Sequence, residues 1–302
     1  MNTMTIKIRL LDGSIGQELV RRSGGPLSTM WASDVVIEKP ELVFELHKEY
    51  FDAGASIATT TTYSALQDRL DYEKSTCDID QIWTSAINAA VSARDENGYG
   101  CVAGSIGPLV RSYMPNLCPP PAEAEIAYGP IVEALAPKVD IFLIETMSSV
   151  NQAVGALRAV GNARIPVWIA LTVDDFDGTK FRSGEDLKEI EPLLDRYMVQ
   201  AVLINCARPE AVSDGVGIIK QFGLPFGAYA NGFTLIKDEF KKIGSTVAAL
   251  EKRKDLTDQK YVKVVMEWID SGATIVGGCC EIGPSAIKAL ANEIRIRGHS
   301  IV

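Results

Sequence analysis

The sequence predicts an α/β fold and, within that class, a parallel (β/α)8 TIM barrel. Three observations carry the prediction. Eight short apolar runs alternate with amphipathic stretches along the whole chain. Several of those stretches start after Pro, Ser or Asp and stop near Gly, as helices do. The 302-residue length suits a single barrel. A doubly wound open sheet is the alternative, but it usually has fewer strands, and no G-x-G-x-x-G follows the first run. The expected organisation is one domain spanning 1–302.

In order, the strand candidates are 10–12, 56–60, 101–104, 140–145, 167–172, 201–206, 226–230 and 274–277. Each is a short apolar run that closes on a polar or small residue, as strands buried on both faces do. The clearest helices between them are 41–53, 79–97, 122–136, 150–160, 185–197, 209–222, 257–271 and 284–296. Ala53-Gly54-Ala55 and Ser271-Gly272-Ala273 are matched stops, each feeding the next strand. Two long loops stand out. One is the proline-rich segment 105–121 after the third strand, the other 231–255 after the seventh.

Composition narrows the function. The net charge of −9 and the absence of a basic stripe exclude a nucleic-acid partner. No apolar stretch approaches the roughly 20 residues of a membrane helix, and the N-terminus has no signal-peptide pattern, so the expectation is a cytoplasmic protein. In a reducing compartment its six cysteines are expected to be free or metal-bound. His47 lies in a helical pattern and His299 in the C-terminal tail, which disfavours a histidine triad or a histidine-rich zinc site.

In a barrel, functional groups sit at the C-terminal ends of strands. Those ends carry Asp12, the stretch from Thr59 to Tyr63, Ser105, Glu145, Thr172, Asn205 with Cys206, Tyr229 with Asn231, and the run from Gly277 to Cys280. Acids and thiols dominate and basic groups are absent, which disfavours a phosphate site. The sixth and eighth strands flank the seventh, so their ends are expected about 10 Å apart, at about 4.8 Å per step. Side chains leaning inward from both can share one ion, with Gly277 and Gly278 letting the backbone turn. Cys206, Cys279 and Cys280 are therefore candidate ligands of Zn2+, with the fourth tetrahedral position open. Three thiolates over-neutralise the ion, making it a poor activator of water. Such a centre still takes up a fourth thiol as a nucleophilic thiolate, which points to alkyl transfer onto sulfur.

The segments Leu-Asp-Gly-Ser-Ile-Gly-Gln-Glu-Leu (11–19), Gly-Ala-Ser-Ile-Ala-Thr-Thr-Thr-Thr-Tyr (54–63), Ala-Gly-Ser-Ile-Gly-Pro (103–108), Ile-Glu-Thr-Met (144–147), Ile-Asn-Cys (204–206) and Gly-Gly-Cys-Cys (277–280) resemble the homocysteine S-methyltransferases, in family order. The resemblance runs from residue 11 to about 290. It implies a (β/α)8 barrel, with Cys206, Cys279 and Cys280 as zinc ligands and the homocysteine thiol in the open position. It also implies that Asp12 and Glu145 hold the homocysteine ammonium, that Tyr63 lies near the metal, and that Asn231 belongs to the substrate-binding set. The implied partner is a small onium methyl donor. S-methylmethionine leads because the chain stops just after the barrel, as the compact members do. The segment Tyr229-Ala230-Asn231-Gly232-Phe233 stands where compact relatives tend to have Tyr-Pro-Asn, so betaine or another sulfonium is the alternative. Trp31, Tyr113 and Phe233 are candidates for an aromatic face toward the onium group. Two other functions stay open: the same chemistry on another thiol or selenol, and a non-catalytic zinc-binding protein or a subunit that works with a corrinoid partner.

Overall fold

A computed structural model of the chain describes residues 5–24, 32–161, 164–242 and 245–302. Trp31 lies outside the described residues. Nine strands form one sheet in the order β2-β3-β4-β5-β6-β7-β8-β1-β9. They are β1 (Lys7–Leu10), β2 (Ile57–Thr59), β3 (Cys101–Ile106), β4 (Ile141–Met147), β5 (Val167–Leu171), β6 (Ala201–Asn205), β7 (Phe226–Tyr229), β8 (Ile275–Val276) and β9 (Ser300–Ile301). All pairings are parallel.

The ends of this run approach each other. β9 occupies the first half of one edge of β1, with Lys7 opposite Ser300 and Ile8 opposite Ile301. Farther along the same edge, Leu11 forms a parallel bridge with Ile57. There Ser56 N donates to Leu10 O at 2.8 Å and Asp12 N donates to Ile57 O at 3.2 Å. Seven of the eight expected strands fall close to their expected positions; the first, expected at 10–12, lies earlier and shares only Leu10 with β1. β9 was not foreseen, because two residues after the last helix carry no pattern.

The helices are α1 (Ile15–Ser23), α2 (Ser33–Glu38), α3 (Pro40–Asp52), α4 (Gln67–Tyr72), α5 (Ile79–Asn97), α6 (Pro121–Leu135), α7 (Val150–Val160), α8 (Glu191–Arg196), α9 (Pro209–Ile219), α10 (Asp258–Asp270) and α11 (Pro284–Ile296). Their starts follow local chemistry. Proline opens α3, α6, α9 and α11, where its missing N–H costs nothing. Asp78, Ser149 and Thr257 cap α5, α7 and α10 with side-chain oxygens. The short α1, α2 and α4 were not among the expected helices. His47 is fully buried in α3 with neither ring nitrogen partnered, and burial alone pulls its pKa down to about 4. It is a packing residue.

Strand residues divide between two clusters. Phe142, Ile144, Val202 and Ile204 pack in the large cluster shared with the helices. Leu143, Trp168, Ala170 and Leu203 alternate with them and pack with Leu11, Ile57 and Ile275 on the other face of the sheet. Burial of both faces explains why the strands read as continuous apolar runs. The C-terminal strand ends, with the loops that follow β3 and β7, surround the site. No helix of the described residues is long and apolar enough to cross a membrane.

Candidate metal centre and active site

Cys206 directly follows β6, and Cys279 and Cys280 lie just beyond β8. The strand between them, β7, acts as a template for both. Cys206 N donates to Tyr229 O at 3.2 Å and Cys279 N donates to Ala230 O at 3.0 Å. The loops thus curl over the end of β7 and bring the Cα atoms of Cys206 and Cys279 to 5.8 Å. The strands themselves flank β7, and it is the residues beyond β8 that fold back to close the gap. The three sulfurs all lie within 4.8 Å of one another.

Cys206 and Cys279 are joined as a disulfide, and Cys280 is a buried thiol. The expectation that every thiol is free or metal-bound therefore does not hold for this pair. Its Cα separation lies inside the ordinary disulfide range. The glycines also act differently from expectation. Neither Gly277 nor Gly278 has positive φ; in the cysteine-bearing segments, Cys206 (φ 53°) and Glu281 (φ 67°) are left-handed instead. Gly277 and Gly278 instead allow close approach. A Cβ on Gly277 would sit 2.5 Å from Leu11 Cβ, and one on Gly278 would run into the Ile282 side chain.

The donor set fits a soft cation. Zinc–sulfur bonds of about 2.3 Å put tetrahedral sulfurs about 3.8 Å apart. A set within 4.8 Å meets that by side-chain rotation once the Cys206–Cys279 pair is reduced. Among the described residues no His, Asp or Glu joins the group. Burial pushes the Cys280 thiol up to about 12, with Glu281 adding to the effect, so ionising it calls for a cation close by.

One cavity, about 110 Å³, is lined by the three cysteines together with Asp12, Tyr63, Tyr113, Glu145 and Tyr229. Asp12 is 3% exposed and Glu145 8%. Burial raises Asp12 to about 8; the Thr59 hydrogen bonds oppose that and the Glu145 charge adds to it. Asp12 Oδ2 accepts from Thr59 N at 2.6 Å. Burial also raises Glu145, against hydrogen bonds from Ser105 and Tyr229. Ser105 Oγ donates to Glu145 Oε1, and Tyr229 Oη donates to Glu145 Oε2 at 3.0 Å.

Glu145 sits at an irregularity in β4. The β4–β5 register shifts between Ile144 and Met147, and Thr146 has φ 65°. Asn205 satisfies the backbone there. Its Oδ1 accepts from Thr146 N at 3.1 Å and its Nδ2 donates to Thr146 Oγ1 at 2.9 Å. The Asn of Ile-Asn-Cys thus supports the acid, while its neighbour Cys206 supplies a sulfur.

Other expected residues fall differently. Tyr63 lines the cavity, but its hydroxyl lies 2.8 Å from Ser112 Oγ, and burial raises its pKa to about 12. Tyr113 does meet a sulfur: its Oη donates to Cys206 Sγ at 3.3 Å. Asn231 is buried but is not among the residues lining the cavity. Its Oδ1 accepts from Phe233 N at 3.1 Å, and its Nδ2 has no partner. One face of Tyr113 carries the Arg182 guanidinium 4.8 Å from the ring centroid, and Phe240 packs at 6.0 Å, which leaves little of that ring for an onium donor. Phe233 packs in one apolar cluster with Tyr113, Cys206 and Cys280. The strand ends themselves carry no basic group, but Arg182, in the loop after β5, contacts the Tyr113 ring and the Cys206 carbonyl. It lies ten residues beyond Thr172, too far along the loop for a reading confined to strand ends.

Known proteins resemble this chain along most of its length. The family model described as homocysteine S-methyltransferase matches residues 9–294. The chain is 25% identical to homocysteine S-methyltransferase 1 of Brassica oleracea var. italica, over 95% of this chain and 94% of that protein. It is 27% identical to homocysteine S-methyltransferase of Escherichia coli (strain K12), over 94% of each. It is also 25% identical to selenocysteine methyltransferase of Astragalus bisulcatus, over 93% of this chain and 90% of that one. Among solved structures, the metallated form of the Escherichia coli homocysteine methyltransferase MmuM superposes with a TM-score of 0.79 at 24% identity, covering 95% of this chain and 96% of that chain. An oxidized form of the same protein gives 0.78. The chain belongs to the homocysteine S-methyltransferase family.

Proposed function

We propose that this protein is a zinc-dependent enzyme that moves a methyl group from an onium donor, S-methylmethionine or a similar sulfonium, to the thiol of L-homocysteine, giving methionine. One observation carries the reading: three converging sulfurs and two buried carboxylates line a single cavity. Cys206, Cys279 and Cys280 would hold the ion. When bound there, Zn2+ offers an open position to a fourth sulfur and lowers the pKa of an incoming thiol.

The chain's own residues do the rest. Asp12 and Glu145 face the acceptor's ammonium as a charge-assisted pair. Thr59 N, Ser105 Oγ and Tyr229 Oη hold those carboxylates in place. Binding donor and acceptor together lets the acceptor sulfur's lone pair attack the methyl carbon while the donor's carbon–sulfur bond breaks, leaving a neutral thioether. No histidine relay is required. The domain reading goes with this: residues 1–302 act as one homocysteine-binding unit, and the sheet is taken as a (β/α)8 barrel closed through the Leu11–Ile57 bridge.

The test is a donor-by-acceptor screen with initial-rate kinetics. S-methylmethionine with homocysteine is expected to turn over sequentially, with a chiral methyl group inverted once. Ping-pong kinetics or retention of methyl configuration contradicts direct transfer. The relative named selenocysteine methyltransferase makes a selenol the second acceptor to try. Turnover confined to that acceptor, or to betaine as donor, would replace the substrate assignment while leaving the site intact.

A further inference from the structure

Arg182 contacts the surroundings of Cys206 by two routes. Its side chain is 8% exposed and pairs with the buried Asp175. Nη1 and Nη2 each donate to an Asp175 carboxylate oxygen at 3.1 Å, a two-pronged arrangement that fixes the plane of the guanidinium. From that plane Nε donates to Thr172 Oγ1 at 3.1 Å, and Nη2 donates to Cys206 O at 3.4 Å. Thr172 Oγ1 itself donates to the same carbonyl at 3.3 Å. Cys206 has φ 53°, a left-handed conformation that non-glycine residues rarely adopt and that persists only where neighbours hold it. Two donors on its carbonyl are such neighbours.

The second route is through Tyr113. The guanidinium carbon lies 4.8 Å from the centroid of that ring, and the Tyr113 hydroxyl donates to Cys206 Sγ. Asp175 extends the same network. Its Oδ2 accepts from Ile236 N at 2.8 Å and its Oδ1 from Arg208 N at 3.4 Å. Groups from the loops after β3, β5, β6 and β7 thus meet around one buried cation.

We propose that Arg182 is a positioning residue for the metal centre: it fixes the backbone of Cys206 through the carbonyl and aims the Tyr113 hydroxyl at the Cys206 sulfur. This rests on the reading of Cys206, Cys279 and Cys280 as metal ligands. A hydrogen bond donated to a ligand thiolate draws electron density from the sulfur, and partners behind the ligands of this kind set affinity and electronic character. A lysine side chain in place of the arginine would carry the charge but not the planar fork.

The experiment uses the full, reduced chain loaded with zinc or cobalt(II). Zinc affinity is read by chelator competition, and the thiolate-to-cobalt charge-transfer band by absorption. Arg182→Met is expected to weaken zinc binding about ten-fold, with Arg182→Lys restoring only part of that loss. Tyr113→Phe is expected to keep one metal per chain but shift the charge-transfer band. A residue that only stabilises the fold would lower the melting temperature and leave affinity and band alone. Should Arg182→Met not fold, Tyr113→Phe and Thr172→Val carry the test through the same two readouts. Zinc affinity within two-fold of wild type together with a superimposable cobalt spectrum in these variants overturns the proposal. A wild-type protein that takes up no metal overturns the ligand assignment itself, a separate failure visible before any variant is made.

Discussion

Asp12 sits in an environment far from that of a carboxylate in water. Burial raises it to about 8 from 3.8, so the site without substrate holds it neutral below that pH. Between those two values an unfolded chain ionises Asp12 while the folded one does not, so this residue makes the substrate-free protein less stable as pH rises from about 4 to 8. Acceptor binding runs the other way, because an ammonium partner favours the ionised acid. The apparent affinity for homocysteine is therefore expected to rise with pH, up to ten-fold per unit, and to level off above about 8. Calorimetry on the wild type and Asp12→Asn checks this. The variant should lose that component of the pH slope and bind more weakly by about 1.5–3 kcal/mol. Parallel profiles for the two proteins would remove Asp12 from the ammonium site.

The strand ends do more than supply side chains; they support one another. β7 gives the backbone acceptors that draw Cys206 and Cys279 together, and Asn205 at the end of β6 fills the hydrogen bonds left open at Thr146 where β4 departs from regular pairing. Asn205→Ala leaves a buried N–H unsatisfied, a cost of about 1–3 kcal/mol in stability. It is also expected to loosen Glu145 and so raise the KM for homocysteine about ten-fold, while zinc content stays at one per chain. Loss of zinc with unchanged KM would place Asn205 with the metal instead of the acid. The sequence showed the strands that carry these residues because two-sided burial writes a continuous apolar run. It did not show their cross-links, since a buried Asn holding a strand irregularity has the same one-dimensional signature as any polar strand end. Gly277 and Gly278 were visible as special positions, but their work is close contact with Leu11 and Ile282 and not a left-handed turn. That distinction depends on which elements face each other in three dimensions.

At the scale of the whole molecule, the sheet gathers groups from both ends of the chain around one cavity: Asp12 after β1, Glu145 in β4, Cys206 after β6, and Cys279 with Cys280 after β8. This grouping was readable in advance because parallel strands put all their C-terminal ends on one side. Arg182 and the sulfur contact of Tyr113 were not readable. Both sit within loops whose path depends on packing against other loops. On the proposed function, the three cysteines hold one zinc with a position kept for the acceptor's sulfur. X-ray absorption at the zinc edge, on the reduced protein with and without homocysteine, measures this most directly. About three sulfurs and one lighter ligand per zinc are expected without homocysteine, and four sulfurs with it. A first shell that homocysteine does not change, or zinc that stays bound in a Cys206, Cys279 and Cys280 triple alanine variant, would contradict it.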